Sequence, residues 1–151
     1  GGGQQSRLFT EVREKRGLAY GASSSLRVYR RAALLVISTA SANERVAEAL
    51  RVVRAELARL RNEGPTEAEF ADAKTYLNGA LSLSLDSSSA IAGLLHTMQV
   101  DNLGPDHLAR RAALIAAVKP EDVRRVARRL LRDDVLTTVV VGKPVGITPD
   151  P

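Results

Sequence analysis

The sequence predicts an α+β fold in which helices pack on one face of a mostly antiparallel sheet. Hydrophobic residues make up 44% and charged residues 26% of the 151 residues, the balance of a globular domain rather than of a disordered chain. Apolar residues recur at helical spacing through the middle of the chain, and sequence patterns typical of β-strands occur near both ends. The resulting order is a helix, two strands, a run of helices and one strand, which favours the α+β class.

The first element is a predicted helix over residues 4–16. Leu8, Phe9 and Val12 share one face of it, and charged residues spaced four apart occupy another. Gly17 follows the last basic turn and suits the left-handed conformation that ends many helices.

Two strands follow and form a predicted hairpin, with Arg30 and Arg31 in its turn. Residues 20–29 alternate with a period of two, with Tyr20 and Ala22 on the same side. Residues 32–40, AALLVISTA, are a nearly continuous apolar run, which suits a strand buried on both faces. A third strand is predicted near the end of the chain, over residues 135–142, VLTTVVVG.

Helices account for most of the rest of the chain. Residues 43–63 carry apolar residues at steps of three and four, and Gly64-Pro65 ends this helix. Thr66 with Glu69 three residues later forms a capping box that opens the next helix. Three further helices are predicted: one carrying Ile91 to Met98, one over residues 106–116 and one over residues 120–131.

The chain contains no internal repeat or linker, so we expect one domain over residues 1–142 and a loose tail over residues 143–151. Its only methionine is Met98, which indicates a processed product or a piece of a longer chain. Three strands make a small sheet for such an apolar middle strand. We therefore expect further strands upstream of Gly1.

Composition excludes several classes of function. The absence of cysteine rules out a disulfide scaffold, a thiolate zinc site and a cysteine nucleophile. No apolar run approaches the ~18 residues of a membrane span, so no membrane partner is expected. The net charge of +5 is compatible with nucleic acid, but aromatic residues amount to 3% and tryptophan is absent, which disfavours it. The arginines after residue 110 favour a solvated helix face over a docking patch.

Motifs for metal or nucleophilic chemistry are missing. His96 and His107 are eleven residues apart, and neither lies in H-E-x-x-H or H-x-x-E-H, so no catalytic metal is expected in this segment. The two serine runs lack a G-x-S-x-G elbow. The three glycines at the start lack the G-K-[ST] of a phosphate loop, and a tight turn is the preferred interpretation.

The informative segment is residues 6–20, SRLFTEVREKRGLAY. It places Arg13 near the end of a helix and Tyr20 at the start of a strand, with Gly17 allowing a sharp reversal between them. A cation and a phenol at such a corner can point into the same space. From the pattern alone a structural role is favoured, with Tyr20 as a packing residue and Arg13 in a surface pair.

The same residues resemble a known family. GGGQQSRLFTEVREKRGLAYGASSS is similar to the start of the conserved part of the second domain in pitrilysin/insulinase-type zinc metallopeptidases, inverzincins that include the mitochondrial processing peptidases. The resemblance continues through GPTEAEFADAKTYLNGALSLSLDSSS, VKPEDVRRVARRLL and LTTVVVG, and so covers almost the whole chain. It implies the processing-peptidase type of domain, with the usual first strand and helix missing upstream of the glycines.

The resemblance also implies roles for two residues. In this family one domain or chain holds zinc through H-x-x-E-H and a distant glutamate, while a metal-free counterpart supplies an arginine and, after six further residues, a tyrosine. Arg13 and Tyr20 fit that spacing, whereas Arg16 does not. By resemblance, Arg13 binds a substrate carbonyl and the Tyr20 hydroxyl donates to the developing oxyanion opposite the zinc.

The expected function is therefore the substrate-binding half of a bacterial zinc endopeptidase that cleaves peptides or unfolded segments. This segment is expected to be inactive alone and to hold no cofactor; zinc belongs to an N-terminal domain or partner subunit, and pairing with a second copy is an open alternative. A competing hypothesis is a non-catalytic structural subunit of the same family, and a third, resting only on charge, is a nucleic-acid binder. The sequence leaves the compartment open between bacterial cytoplasm and periplasm.

Overall fold

A computed structural model describes residues 2–148; Gly1 and residues 149–151, the end of the predicted tail, lie outside the described residues. The architecture is α+β, as predicted from the sequence, with one two-stranded antiparallel sheet. The elements are α1 (Arg7–Phe9), continued by a π-helical turn (Thr10–Glu14), β1 (Ala19–Tyr29), β2 (Ala32–Ser41), α2 (Val46–Glu63), α3 (Glu67–Leu83), α4 (Ser88–Val100), α5 (His107–Ala117), α6 (Pro120–Leu130) and a 3-10 turn (Asp133–Val135).

The chain divides into two compact units. The first comprises residues up to Asn62 together with those from Arg128 onward, and the second comprises Glu63–Ala127. The first unit contains the sheet and the segment of Arg13 and Tyr20, so the candidate site lies within one unit.

The hairpin of the first unit confirms the predicted pairing of the two early strands. β1 and β2 are antiparallel, in register from Ala22 opposite Thr39 to Tyr29 opposite Ala32. Arg30 and Arg31 form the connecting turn, as the sequence predicts.

A bulge interrupts this ladder at the start of β1. Ala19 lies opposite Ser41 and Ala22 opposite Thr39, so two residues of β1 face one residue of β2 between these pairs. The extra residue disturbs the simple alternation predicted from Tyr20 onward: Tyr20 is 85% exposed, while Ala22 is buried. Bulges re-aim side chains in this way, and they are frequent next to functional sites.

The prediction that residues 32–40 are buried on both faces is wrong. Leu34 is 51% exposed and Leu35 is 47% exposed, and the strand has no fully buried residue. An apolar strand is favoured in a buried position, but it becomes buried only where other elements pack against it. In the part of the chain that the structure describes, β2 pairs only with β1.

The predicted third strand over residues 135–142 is also wrong. Residues 136–142 have no ladder partner within residues 2–148, and Val139 and Val141 are largely exposed. A β-branched run favours extended backbone, but a strand needs a neighbour with which to exchange hydrogen bonds. The segment after it is bonded instead to Asn43, whose carbonyl oxygen accepts from Val145 N at 2.9 Å.

The core of the first unit contains residues from both sides of the reversal at Gly17. Val12 is fully buried and belongs to the π-helical turn, while Leu18 and Ala22 are buried immediately after the reversal. The other buried apolar residues of this unit are Leu8, Ala49, Val52, Val53, Leu57 and Leu131. The buried positions of α2 follow the predicted helical spacing.

The second unit consists of helices whose ends are fixed by local hydrogen bonds. The predicted capping box is present: Thr66 N donates to the Glu69 carboxylate at 2.7 Å, and Glu69 N donates to Thr66 Oγ1 at 3.2 Å. Lys74 Nζ donates to the carbonyl oxygens of Ala116 and Val118 at 2.8 and 2.7 Å, which ties α3 to the end of α5. Within residues 2–148 no helix has the length and hydropathy required to cross a bilayer.

Candidate functional site

Arg13 lies in the π-helical turn that continues α1. Ser6 caps the start of the helix, where its hydroxyl oxygen accepts a hydrogen bond from Phe9 N at 3.3 Å. Lys15 N donates to the carbonyl oxygen of Thr10 at 2.9 Å, the five-residue spacing that defines a π turn. π turns are rare and are frequently found at functional sites, and each places one more residue in the turn than an α-helix does.

The turn ends at Gly17, where the chain reverses toward β1. Gly17 has a φ of +59°, so the predicted left-handed C-terminal residue is confirmed. Its N–H donates to the Arg13 carbonyl oxygen, and Leu18 N donates to that of Val12, both at 2.9 Å. These bonds fix the path of the six residues that separate Arg13 from Tyr20.

The Arg13 guanidinium contacts two aromatic rings. Its central carbon is 4.8 Å from the centroid of the Tyr20 ring and also 4.8 Å from the centroid of the Phe9 ring. Both distances are within the range of cation–π attraction. The structure therefore brings together the two residues singled out in the sequence and adds Phe9 to them.

The neighbouring cations are held elsewhere by Glu11. Lys15 Nζ donates to the Glu11 carboxylate at 2.6 Å, the charge pair predicted from the sequence. Arg16 donates to the same carboxylate and, at 2.9 Å, to the Glu11 carbonyl oxygen. Arg16 is therefore turned toward Glu11, whereas Arg13 contacts rings and, among the described residues, no carboxylate.

These contacts make Glu11 sensitive to pH. Its hydrogen bonds from Lys15 and then Arg16 lower the pKa of the carboxyl, although its burial raises it. A carboxyl whose pKa is lower in the folded state contributes stability above the pKa of the unfolded state and loses it as pH falls through the folded value. Since an unfolded glutamate titrates near pH ~4.3, the loss is expected to begin near there and to continue at lower pH.

Glu11→Gln is expected to lower the free energy of unfolding at pH 7 by about 1 kcal/mol, because charged hydrogen bonds are replaced by weaker ones. The difference between wild type and variant is expected to shrink below pH ~4.3, where Glu11 itself becomes neutral. Urea unfolding between pH 7 and pH 3 measures both. Glu48→Gln is the control, because Glu48 is half exposed and its pair with Arg51 is at the surface. A difference that persists unchanged at pH 3 would contradict this role of Glu11.

Tyr20 is anchored through its neighbours in the bulge rather than through its own side chain. Thr39 Oγ1 donates to the carbonyl oxygen of Gly21 at 3.0 Å, and Ser41 Oγ donates to that of Leu18 at 2.6 Å. These bonds hold the backbone on both sides of Tyr20. The phenol projects outward over Arg13, and no hydrogen bond to its hydroxyl occurs within residues 2–148.

An open groove of about 570 Å³ runs beside the Tyr20 ring. Its walls are Gly2, Gly3 and Gln4, the Phe9 ring, residues 20–23 of β1 and residues 38–40 of β2. Apart from the two rings and Gln4, these residues have small side chains. A peptide backbone can therefore approach the strands closely while its neighbouring groups reach the phenol.

The arrangement differs from the purely structural interpretation that the sequence pattern favoured. That interpretation gives Tyr20 a packing role, but the side chain is 85% exposed and its ring lies beside the Arg13 guanidinium. It also places Arg13 in a surface pair, but the guanidinium stacks on rings instead. Tyr20 is exposed and lines the groove, and Arg13 is partly exposed and in contact with the Tyr20 ring.

Sequence reasoning missed Phe9 and the pairing of Arg16 with Glu11. Phe9 was assigned only to the apolar face of the helix, although the four-residue spacing to Arg13 was a visible signal of contact. The contact between Arg16 and Glu11 depends on the π turn, which has no recognisable sequence signature. The bulge that exposes Tyr20 was likewise invisible in the alternating pattern.

Comparison with known proteins assigns the chain to a family. The profile of the family described as Peptidase M16 inactive domain matches residues 1–77, which include Arg13, Tyr20 and the hairpin. The chain belongs to the peptidase M16 family. The match confirms that this M16 chain is related to the zinc metallopeptidases, as the sequence motifs indicated.

Relatives of this M16 chain include proteins named as proteases. An "uncharacterized zinc protease" of Mycobacterium tuberculosis is 38% identical over 131 residues, covering 87% of this chain and 30% of the relative. The mitochondrial-processing peptidase subunit alpha of Pongo abelii is 31% identical over 141 residues, covering 87% of this chain and 25% of that subunit. The M16 chain thus spans about a third or less of the length of these relatives.

The fold of the M16 chain also matches a solved structure. A crystal structure of a peptidase M16 inactive domain from Pseudomonas fluorescens has a TM-score of 0.76 and 31% identity, covering 85% of this chain and 31% of that one. The match supports the α+β class and the assignment to the non-catalytic kind of M16 domain.

Proposed function

We propose that this chain is the substrate-binding half of a zinc-dependent endopeptidase that cleaves peptides or unfolded segments. The observation that carries the proposal is the Arg13 guanidinium stacked 4.8 Å from the ring of the exposed Tyr20, at the edge of an open groove. Arg13 binds a carbonyl oxygen of the substrate, and the Tyr20 hydroxyl donates a hydrogen bond to the carbonyl that is being attacked.

The residues described here do not fit a catalytic zinc ion. Residues 2–148 contain no group of three or more histidine, cysteine, aspartate or glutamate side chains placed to hold a metal. Three protein ligands are the usual minimum for a catalytic zinc site. The metal of the proposed endopeptidase therefore belongs to another domain or to a partner subunit, consistent with relatives that are named zinc proteases.

The two side chains suit different parts of peptide hydrolysis. Attack on an amide places negative charge on its carbonyl oxygen, and a fixed donor at that point stabilises the transition state by about 3 kcal/mol. The Tyr20 hydroxyl is a donor with no competing partner among the described residues. Arg13 offers N–H donors to a second carbonyl, because its ring contacts use none of them in a hydrogen bond and no acceptor among the described residues takes one.

The proposal is tested by assembling the full protease with and without this domain. The complete protein, or the pair of subunits, is expected to hydrolyse an unstructured fluorogenic peptide in the presence of zinc. Removal of this domain is expected to abolish hydrolysis while zinc remains bound to the other part, as measured by metal analysis. Full hydrolysis by the zinc-bearing part alone would contradict a substrate-binding role and favour a structural one.

A further inference from the structure

The Phe9 ring gives Arg13 a fixed surface on which to lie. Phe9 is only partly exposed and belongs to α1, whereas Tyr20 is 85% exposed at a bulge. The two rings are equidistant from the guanidinium carbon, at 4.8 Å. The less mobile of two stacking partners determines where a flexible side chain rests, and here that partner is the helix-borne Phe9.

Among the described residues, no carboxylate orients the Arg13 guanidinium alongside Phe9. Glu11 is the buried carboxylate of the same turn, and it is occupied by Lys15 and Arg16. Among the described residues, Arg13 therefore has ring contacts and no hydrogen bond or ion pair to orient its guanidinium. Stacking restricts the plane of the guanidinium but leaves its N–H edge free, which suits a group that must meet a carbonyl oxygen.

We infer that Phe9 is a positioning residue that acts through Arg13, holding the guanidinium flat against Tyr20 before substrate arrives. This inference rests on the proposed function of Arg13 and Tyr20. An arginine side chain held in advance loses less rotational freedom on binding, so the contact with the substrate is tighter. Substitution of Phe9 should therefore change KM, the parameter that substitution of Arg13 is expected to change.

The test uses the complete protease and the substitution Phe9→Leu, which removes the ring and keeps an apolar side chain. KM for a peptide is expected to rise about fivefold with little change in kcat, in keeping with the strength of a partly exposed cation–π contact. Phe9→Trp and Phe9→Tyr keep a ring and should retain the wild-type KM. In an Arg13→Ala background, Phe9→Leu should raise KM no further, since Phe9 acts through Arg13.

Phe70→Leu is a matched control. Phe70 is the other phenylalanine of the chain, and Lys74, four residues later, places its Nζ 4.7 Å from the ring centroid. The control therefore removes the same kind of ring–cation pair from a different helix. It is expected to leave KM within twofold of wild type.

A second measurement avoids dependence on the folding of Phe9→Leu. Phenylalanine analogues with one, two and three ring fluorines, introduced at position 9, keep the shape of the ring while weakening the negative charge on its face. KM is expected to rise with each fluorine, because the attraction to Arg13 depends on that charge. Interior packing alone does not respond in this graded way.

The outcomes separate the two proposals. If Arg13→Ala raises KM but Phe9→Leu does not, or raises it equally with and without Arg13, the positioning role of Phe9 is wrong. A KM that does not change with ring fluorination would also contradict the positioning role of Phe9. If Arg13→Ala and Tyr20→Phe both leave kcat and KM unchanged, the proposed function itself fails.

Discussion

Tyr20→Phe is expected to lower kcat of the assembled protease about a hundredfold, because it removes one preplaced donor to the transition-state oxyanion. KM should change little, since the hydroxyl contributes mainly where negative charge has developed. Steady-state hydrolysis of a fluorogenic peptide, with kcat and KM resolved separately, measures both values.

The fold should tolerate Tyr20→Phe. The side chain is 85% exposed, and its ring, which Phe retains, makes the contact with Arg13. Tyr29→Phe removes the same hydroxyl from an exposed tyrosine at the far end of β1 and is expected to have wild-type kcat. Unchanged kcat in Tyr20→Phe would assign the phenol to surface packing alone.

Arg13→Ala is expected to lower kcat/KM about thirtyfold, mainly through a higher KM. A hydrogen bond from a charged donor contributes about 2 kcal/mol, and a carbonyl distant from the scissile bond receives it in both the ground state and the transition state. Arg13→Lys should restore little of the loss, because an ammonium lacks the planar surface that contacts the two rings.

Arg16→Ala distinguishes the two arginines of this turn. Arg16 contacts Glu11, so its loss should reduce stability and leave kcat/KM within about twofold of wild type. If Arg16→Ala raised KM and Arg13→Ala did not, the assignment of the substrate contact by spacing would be wrong.

The helices could be predicted from the sequence because their signals are local. Thr66 and Glu69 bond to each other's backbone as their spacing predicts, and Gly17 adopts the left-handed conformation expected after a basic turn. The hairpin turn at Arg30 and Arg31 was also identified from the change of pattern around it. Each of these features depends on residues within a few positions of one another.

The failures concern features that depend on distant neighbours. Leu34 and Val139 have side chains that favour strands, yet one is half exposed in β2 and the other lies in a segment without a ladder partner among residues 2–148. β-propensity measures how well a side chain fits a covered sheet, so the sequence of one strand does not determine its partners.

The candidate site was only partly predictable. Arg13 and Tyr20 were identified by a resemblance and by their spacing, and the geometry brings them together. The π turn and the bulge, each created by one extra residue, leave no compositional trace. Phe9 was visible as a residue four positions before Arg13, but its contact with the guanidinium required the coordinates.

The π turn at Thr10–Glu14 makes the contact between Arg13 and Tyr20 sensitive to a single-codon deletion. Deleting one residue there would restore ordinary α-helical winding, and each residue of an α-helix advances about 100° around the axis. The helix could survive such an event, because its capping serine and its terminal glycine lie outside the turn. The guanidinium, however, would rotate away from the phenol, so this M16 chain can lose the proposed substrate contact in one mutational step while it keeps its fold.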